Sequence, residues 1–214
     1  MTGRTNDLCR RTPTSIHGWS LLLVVGTVAI HMGVRYRATL PEWVGQICQQ
    51  VLWRGPRGEY LIDHPFVGKP HGASVKLVNN PTAKDPTHAE LLEFLRRDLT
   101  DQHPYKVNEF TCVCFAEEVH NNAELAGISC ALVTIDLPAV AHALNAFHTT
   151  DRGLIYIDCT NSIQSVEQVG PASNDRCVEF NQGDLYIPKF LYPSHGWADS
   201  CSSMGRVRNI RIFW

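Results

Sequence analysis

Apolar positions along this chain recur first at helical and then at strand spacing. Thr87-His88-Ala89-Glu90 is a capping box set before Leu91, Leu92, Phe94 and Leu95, and it predicts a helix over roughly residues 87–98. In residues 110–127, Phe115, Ala116, Val119, Ala123 and Ala126 fall on one face at spacings of three and four, and Gly127 stands where a helix-ending glycine stands. That predicts a second helix with Cys112 at its start. Ile128 to Ile135 then reads as a buried strand. The segments 141–147 and 154–160 are strand-like and flank a turn at Thr150-Asp151-Arg152-Gly153. Paired as a hairpin, they put His142 opposite residues 158–161, within reach of Asp158. A polar stretch to about Asp175 follows, then short strand candidates at Val178-Glu179-Phe180 and Leu185-Tyr186-Ile187-Pro188. Ser194 to Gly205 reads as loop. Val207 to Trp214 is an expected edge strand, with Ile210, Ile212 and Trp214 on one parity. Helices first and an antiparallel meander after them make the expected class α+β.

The N-terminal part reads differently. Residues 1–18 are polar, Trp19 to Val34 is apolar, and Arg35 and Arg37 follow. The expectation is a membrane anchor or signal segment over 1–38. A cleaved signal ending at Thr27-Val28-Ala29 is the first alternative and a buried helix the second. An uncleaved anchor with its N-terminus in the cytoplasm would leave the domain extracytoplasmic; cleavage of residues 1–29 would make the protein secreted. Leu40-Pro41-Glu42 opens an expected helix to about Trp53, with proline in its first turn. Residues 59–80 are mixed, with turn signals at Gly68-Lys69-Pro70 and Asn79-Asn80-Pro81. The expected division is an N-terminal segment 1–38, a connecting helix and linker 39–74, and a domain 75–214.

Composition narrows the function classes. The net charge is −2 over 214 residues, with acids and bases mixed, so a nucleic-acid partner is not expected. The eight cysteines are not spaced as a disulfide framework, and they include no Cys-x-x-Cys pair, which argues against a zinc ribbon. No cofactor is expected.

Candidate chemistry centres on Cys112. Unpaired N–H groups and the positive end of a helix dipole favour a thiolate at a helix start. His142 and Asp158 would supply a base and an orienting group, in the chain order Cys, His, Asp. Here the chain resembles the transglutaminase-like (papain-like thiol) superfamily, and more closely a prokaryotic branch of it. The resemblance is carried by His103-Pro104-Tyr105, Cys112-x-x-Phe115-Ala116, His120-Asn121-Asn122-Ala123-Glu124-x-Ala126-Gly127-Ile128, His142-Ala143-x-Asn145-Ala146-Phe147 and Thr149-Thr150-Asp151-x-Gly153-Leu154. Gly196-Trp197 and Asn209-Ile210-x-Ile212-Phe213-Trp214 add to it. It covers roughly residues 75–214. It implies a catalytic helix packed on a small antiparallel sheet and a loop at 101–108 bordering the cleft; Tyr105 would then either line the cleft or serve as a packing tyrosine. It also implies a peptide or protein amide substrate, hydrolysed rather than cross-linked. Thr111, Cys114, Leu144 and Cys159 depart from residues common in related sequences, and none of them removes a catalytic group.

Cys114 is the rival nucleophile, but it lies roughly 200° around the helix from Cys112. The motif spacing to Ala116 favours Cys112. His120 reads as a packing histidine. His148 is about 20 Å along the strand from His142. Asn145, of opposite parity, reads as structural. Two other function classes stand beside the enzyme. One is a non-catalytic binding module on the same fold. The other is a metal protein using Cys112, Cys114, His142 and either His120 or Cys159.

Overall fold

A computed structural model describes residues 58–62, 67–161, 174–192 and 201–214, within a compact unit spanning Gly55–Trp214. The apolar run at 19–34, the helix expected over 41–53 and Gly196-Trp197 lie outside the described residues. Among the described residues, no helix is long and apolar enough to cross a membrane.

The class is α+β. Strands β1 (Gly58–Ile62) and β2 (Val75–Asn79) form an antiparallel pair. Helix α1 (His88–Arg97) and helix α2 (Cys112–Leu125) follow. Strands β3 (Ala131–Asp136), β4 (Ala141–Thr149), β5 (Gly153–Asp158), β6 (Arg176–Val178), β7 (Lys189–Phe190) and β8 (Asn209–Phe213) then build one sheet. Its order is β7-β6-β5-β4-β3-β8, antiparallel throughout. The meander runs from β3 to β7, and the C-terminal strand returns to pair with β3 at the edge.

Local chemistry explains both helices. Thr87 accepts the Glu90 N–H, and the Glu90 carboxylate accepts the Thr87 N–H at 2.7 Å, completing the expected capping box. Asp151, in the β4–β5 turn, accepts the His88 N–H at 2.7 Å and so ties that turn to the start of α1. Helix α2 ends with Gly127 at φ +81°, where Ile128 N–H reaches back to the Ala123 carbonyl at 2.9 Å. Phe115, Ala116, Val119 and Ala123 are buried as expected. Ala126 is exposed instead, because the helix closes at Leu125 and Ala126 is its C-cap.

The sheet is covered on both faces. On one, Val133, Ile135, Leu144, Ala146 and Tyr156 pack with Phe180, Tyr186, Val207 and Trp214. On the other, Leu132 and Ala143 pack with Ala116 of α2 and with Ile62, Val75 and Leu77 of the β1–β2 pair. Each buried Leu, Ile or Val contributes roughly 1.5–3 kcal/mol.

The β1–β2 pair has no counterpart in the sequence expectations. Part of the stretch read as connecting is strand β1, and the mixed stretch before residue 80 contains β2. The open edge of β2 is closed by side chains of α2. The N–H groups of Lys76, Val78 and Asn80 donate to Glu117 at 3.0 Å, Asn121 at 2.9 Å and Glu124 at 2.8 Å. Alternate N–H groups of a strand share an edge, and residues at i, i+4 and i+7 share a helix face. One helix face therefore satisfies one strand edge.

Candidate active site

Three elements bring the site together. Cys112 is the first residue of α2, His142 is near the start of β4, and Asp158 ends β5. The β4–β5 pairs run from Thr149↔Gly153 to Asn145↔Ile157. Extending that register by three places sets His142 opposite Thr160, as the turn chemistry predicts. Asp158 then lies on the diagonal, and His142 Nε2 meets its Oδ2 at 3.0 Å. Both residues are buried, at 7% and 2% exposure. Nδ1 is the other ring nitrogen of His142, and the imidazole acts on the Cys112 sulfur through hydrogen bonding and charge.

The electrostatics follow from that contact. Burial pushes the Cys112 thiol up. The hydrogen bond and charge of His142, with the Ala143 N–H, outweigh burial and hold the thiol below its ordinary value. Burial pushes His142 down, but the Asp158 charge and hydrogen bond and the Cys112 sulfur lift it to about 10. Asp158 is opposed by its own burial, yet Arg176 and His142 hold it well below the carboxylate range. The arrangement favours a thiolate–imidazolium pair backed by an ionised carboxylate. Burial pushes the thiols of Cys130 and Cys159 well upward, which keeps them as inert packing groups.

The helix start supplies a further group. Thr111, at the N-cap of α2, makes no side-chain cap hydrogen bond. The Cys112 N–H is among the first N–H groups of the helix, which have no acceptor within it. An N–H at a helix start is the kind of donor that can stabilise developing negative charge.

The remaining expected residues separate cleanly. Cys114 is buried, and its sulfur faces the Glu109 carbonyl at 3.9 Å. Tyr105 stacks against Phe115, ring centroids 6.4 Å apart, and burial together with the nearby Cys112 and Cys114 sulfurs raises its phenol. His120 is fully buried, with Nδ1 3.1 Å from the Asn121 amide oxygen, and burial drives it down to about 4. His148 is exposed and meets Asp85 at 3.2 Å, away from Asp158. Asn145 donates to the Ala116 carbonyl at 2.8 Å and so holds β4 to α2. Among the described residues, no group of three or more His, Cys, Asp or Glu side chains is arranged to hold a metal ion. A depression of about 1040 Å³ beside α1, lined by Glu93, Phe94, Leu99, Leu125 and Ile128, contains none of Cys112, His142 and Asp158.

Two residues of the site have no signal in the sequence. Arg176 of β6 reaches Asp158 Oδ1 at 3.4 Å and also donates to the Thr160 carbonyl. Tyr186 donates its hydroxyl to Asp158 Oδ2 at 2.8 Å. Both arrive across long stretches of chain, so no local spacing points to them. No family model and no curated protein matches this chain.

Proposed function

We propose that the protein is a transglutaminase-like thiol enzyme that acts on amide bonds of a peptide or protein substrate, hydrolysing them through an acyl-enzyme. The observation that carries this reading is the 3.0 Å contact of His142 Nε2 with Asp158 Oδ2, together with a half-buried Cys112 at a helix start whose thiol the same imidazole holds below its ordinary value.

The steps follow from these groups. The Cys112 thiolate attacks the amide carbonyl carbon, a C–S bond forms, and the carbonyl electron pair moves to oxygen. The Cys112 N–H stabilises that oxyanion. The His142 imidazolium gives its Nδ1 proton to the leaving nitrogen as the C–N bond breaks. Neutral His142 then takes a proton from water, whose oxygen attacks the thioester, and the C–S bond breaks to release the acid. Asp158 keeps Nε2 of the imidazole occupied, so that Nδ1 is the nitrogen in exchange with sulfur. The resemblance in residues 75–214 supports the same fold family and favours water over an amine as the acceptor.

The test is to trap the acyl-enzyme. Mixed peptide anilides are incubated with the protein, quenched in acid and analysed by mass spectrometry. The expected result is an acyl adduct on the Cys112 peptide and release of aniline, both missing in Cys112→Ala. Binding of peptides with neither adduct nor release would instead identify a non-catalytic module.

A further inference from the structure

Every oxygen of Asp158 has more than one donor. Oδ1 accepts the Thr160 N–H at 2.9 Å and Nη2 of Arg176 at 3.4 Å. Oδ2 accepts from His142 Nε2 at 3.0 Å and from the Tyr186 hydroxyl at 2.8 Å. Tyr186 is completely buried although it follows Asp158 by 28 residues. Its ring also stands edge to face against the His142 imidazole, centroids 5.5 Å apart at 71°. Burial and the Asp158 charge push its phenol well above the ordinary range, so it remains a donor wherever the domain is folded.

We propose that Tyr186 is a positioning residue of this site: its hydroxyl fixes Oδ2 of Asp158 and its ring fixes the plane of His142, so that Nδ1 is presented to Cys112. The inference rests on the thiol-enzyme reading above. A carboxylate held at Oδ1 alone still rocks about its Cβ–Cγ bond. Two donors converging on Oδ2 remove that freedom, and the ring wall limits rotation of the imidazole about χ2. The groups facing the pair are His142 from β4, Asp158 from β5, Arg176 from β6 and Cys112 from α2, with Cys201 against Arg176.

A purely electrostatic role for the same hydroxyl would carry the opposite sign. A hydroxyl that draws charge from Oδ2 would weaken the pull of Asp158 on the imidazolium. Removing it would then make Cys112 more reactive at low pH. Removing a positioning hydroxyl makes Cys112 less reactive there, because a misaligned imidazolium stabilises the thiolate less.

The full chain is treated with iodoacetamide across the acid and neutral range, and carboxamidomethylation of Cys112 is followed by mass spectrometry. In Tyr186→Phe, which keeps the ring, the midpoint of Cys112 reactivity is expected to rise by about one pH unit, a rate about tenfold lower on the acid limb. An unchanged midpoint, with or without a lower melting temperature, would reduce Tyr186 to a packing residue and overturn the proposal, as would a downward shift. If the unsubstituted protein shows no low-pH thiolate at all, the thiol-enzyme reading fails first and this inference fails with it. Should Tyr186→Phe not fold, NMR of the unsubstituted protein decides. The Tyr186 hydroxyl proton must be protected from exchange and correlate through space with the His142 Nε2 proton. A hydroxyl proton in free exchange with water would overturn the proposal.

Discussion

The side-chain amide of Asn145 donates to the backbone carbonyl of Ala116 at 2.8 Å, joining the strand that carries His142 to the helix that carries Cys112. The donor lies three residues after His142 and the acceptor four after Cys112, so the bond sets the height of the imidazole relative to the sulfur. Replacing Asn145 with Ala removes a buried hydrogen bond. The expected cost is roughly 1–3 kcal/mol in denaturant unfolding, with slower alkylation of Cys112 in the fraction that remains folded. Unfolding and alkylation both at the unsubstituted values would show that the bond does neither job.

The two cysteines at the start of α2 differ in what surrounds them. The charge and hydrogen bonding of His142 lower the Cys112 thiol, whereas Cys114 is buried against the Glu109 carbonyl. Cys112→Ala is expected to abolish turnover of any amide substrate, and Cys114→Ala to leave it within a few-fold of the original. Turnover that survives the first and is lost in the second would exchange their roles.

Stability should depend on pH through three buried groups. His120, held down to about 4 by burial, is neutral in the fold. Its folded value lies below the unfolded one, so its contribution is complete above about 6.5 and is lost as pH falls toward 4, on the order of 3 kcal/mol. Asp158 has the same sign, with its contribution complete above roughly pH 4 and lost below it. His142, lifted to about 10, has the opposite sign: its contribution is complete below about 6.5 and is lost as pH rises toward 10. A stability maximum near neutrality is expected. His120→Gln should flatten the limb between about pH 6.5 and 4, as read from urea midpoints. An acid limb of unchanged slope would place its cause elsewhere.

The clamp between α2 and β2 makes the first strand pair part of the domain. Tyr60 of β1 donates its hydroxyl to the Trp214 carbonyl at 2.9 Å, and Glu117 holds both Lys69 and the Lys76 N–H. A chain beginning at residue 75 would lose β1 and uncover Leu77 and Ala116. It is expected to unfold well below the melting temperature of one beginning at Gly55. Equal melting of the two would show that β1 adds nothing to the core.

What the sequence disclosed is what local chemistry encodes. Thr87 and Glu90 fix the start of α1 within three residues of each other, and Gly127 marks the end of α2. The turn at 150–153 sets the register that brings His142 to Asp158, so the contact of these two side chains and the place of Cys112 at a helix start were legible from one hairpin and one helix. The β1–β2 pair was not legible, because its edge bonds go to side chains some 40 residues away on α2. Arg176 and Tyr186 were hidden for the same reason. Each reaches Asp158 only after the meander has closed, and neither sits at a spacing that points to a carboxylate. Ala126 continued the apolar stripe in sequence and is exposed in the fold, because the helix ends one residue before it.

The most direct test of the central claim is the reactivity of each cysteine toward iodoacetamide as a function of pH, in the full chain and in His142→Ala. Cys112 alone is expected to label fast well below the ordinary thiol value of about 8.5, and His142→Ala to remove that advantage. Labelling of Cys112 on the same pH curve as the other thiols, or a fast Cys112 that does not depend on His142, would contradict an assembled thiolate–imidazolium pair.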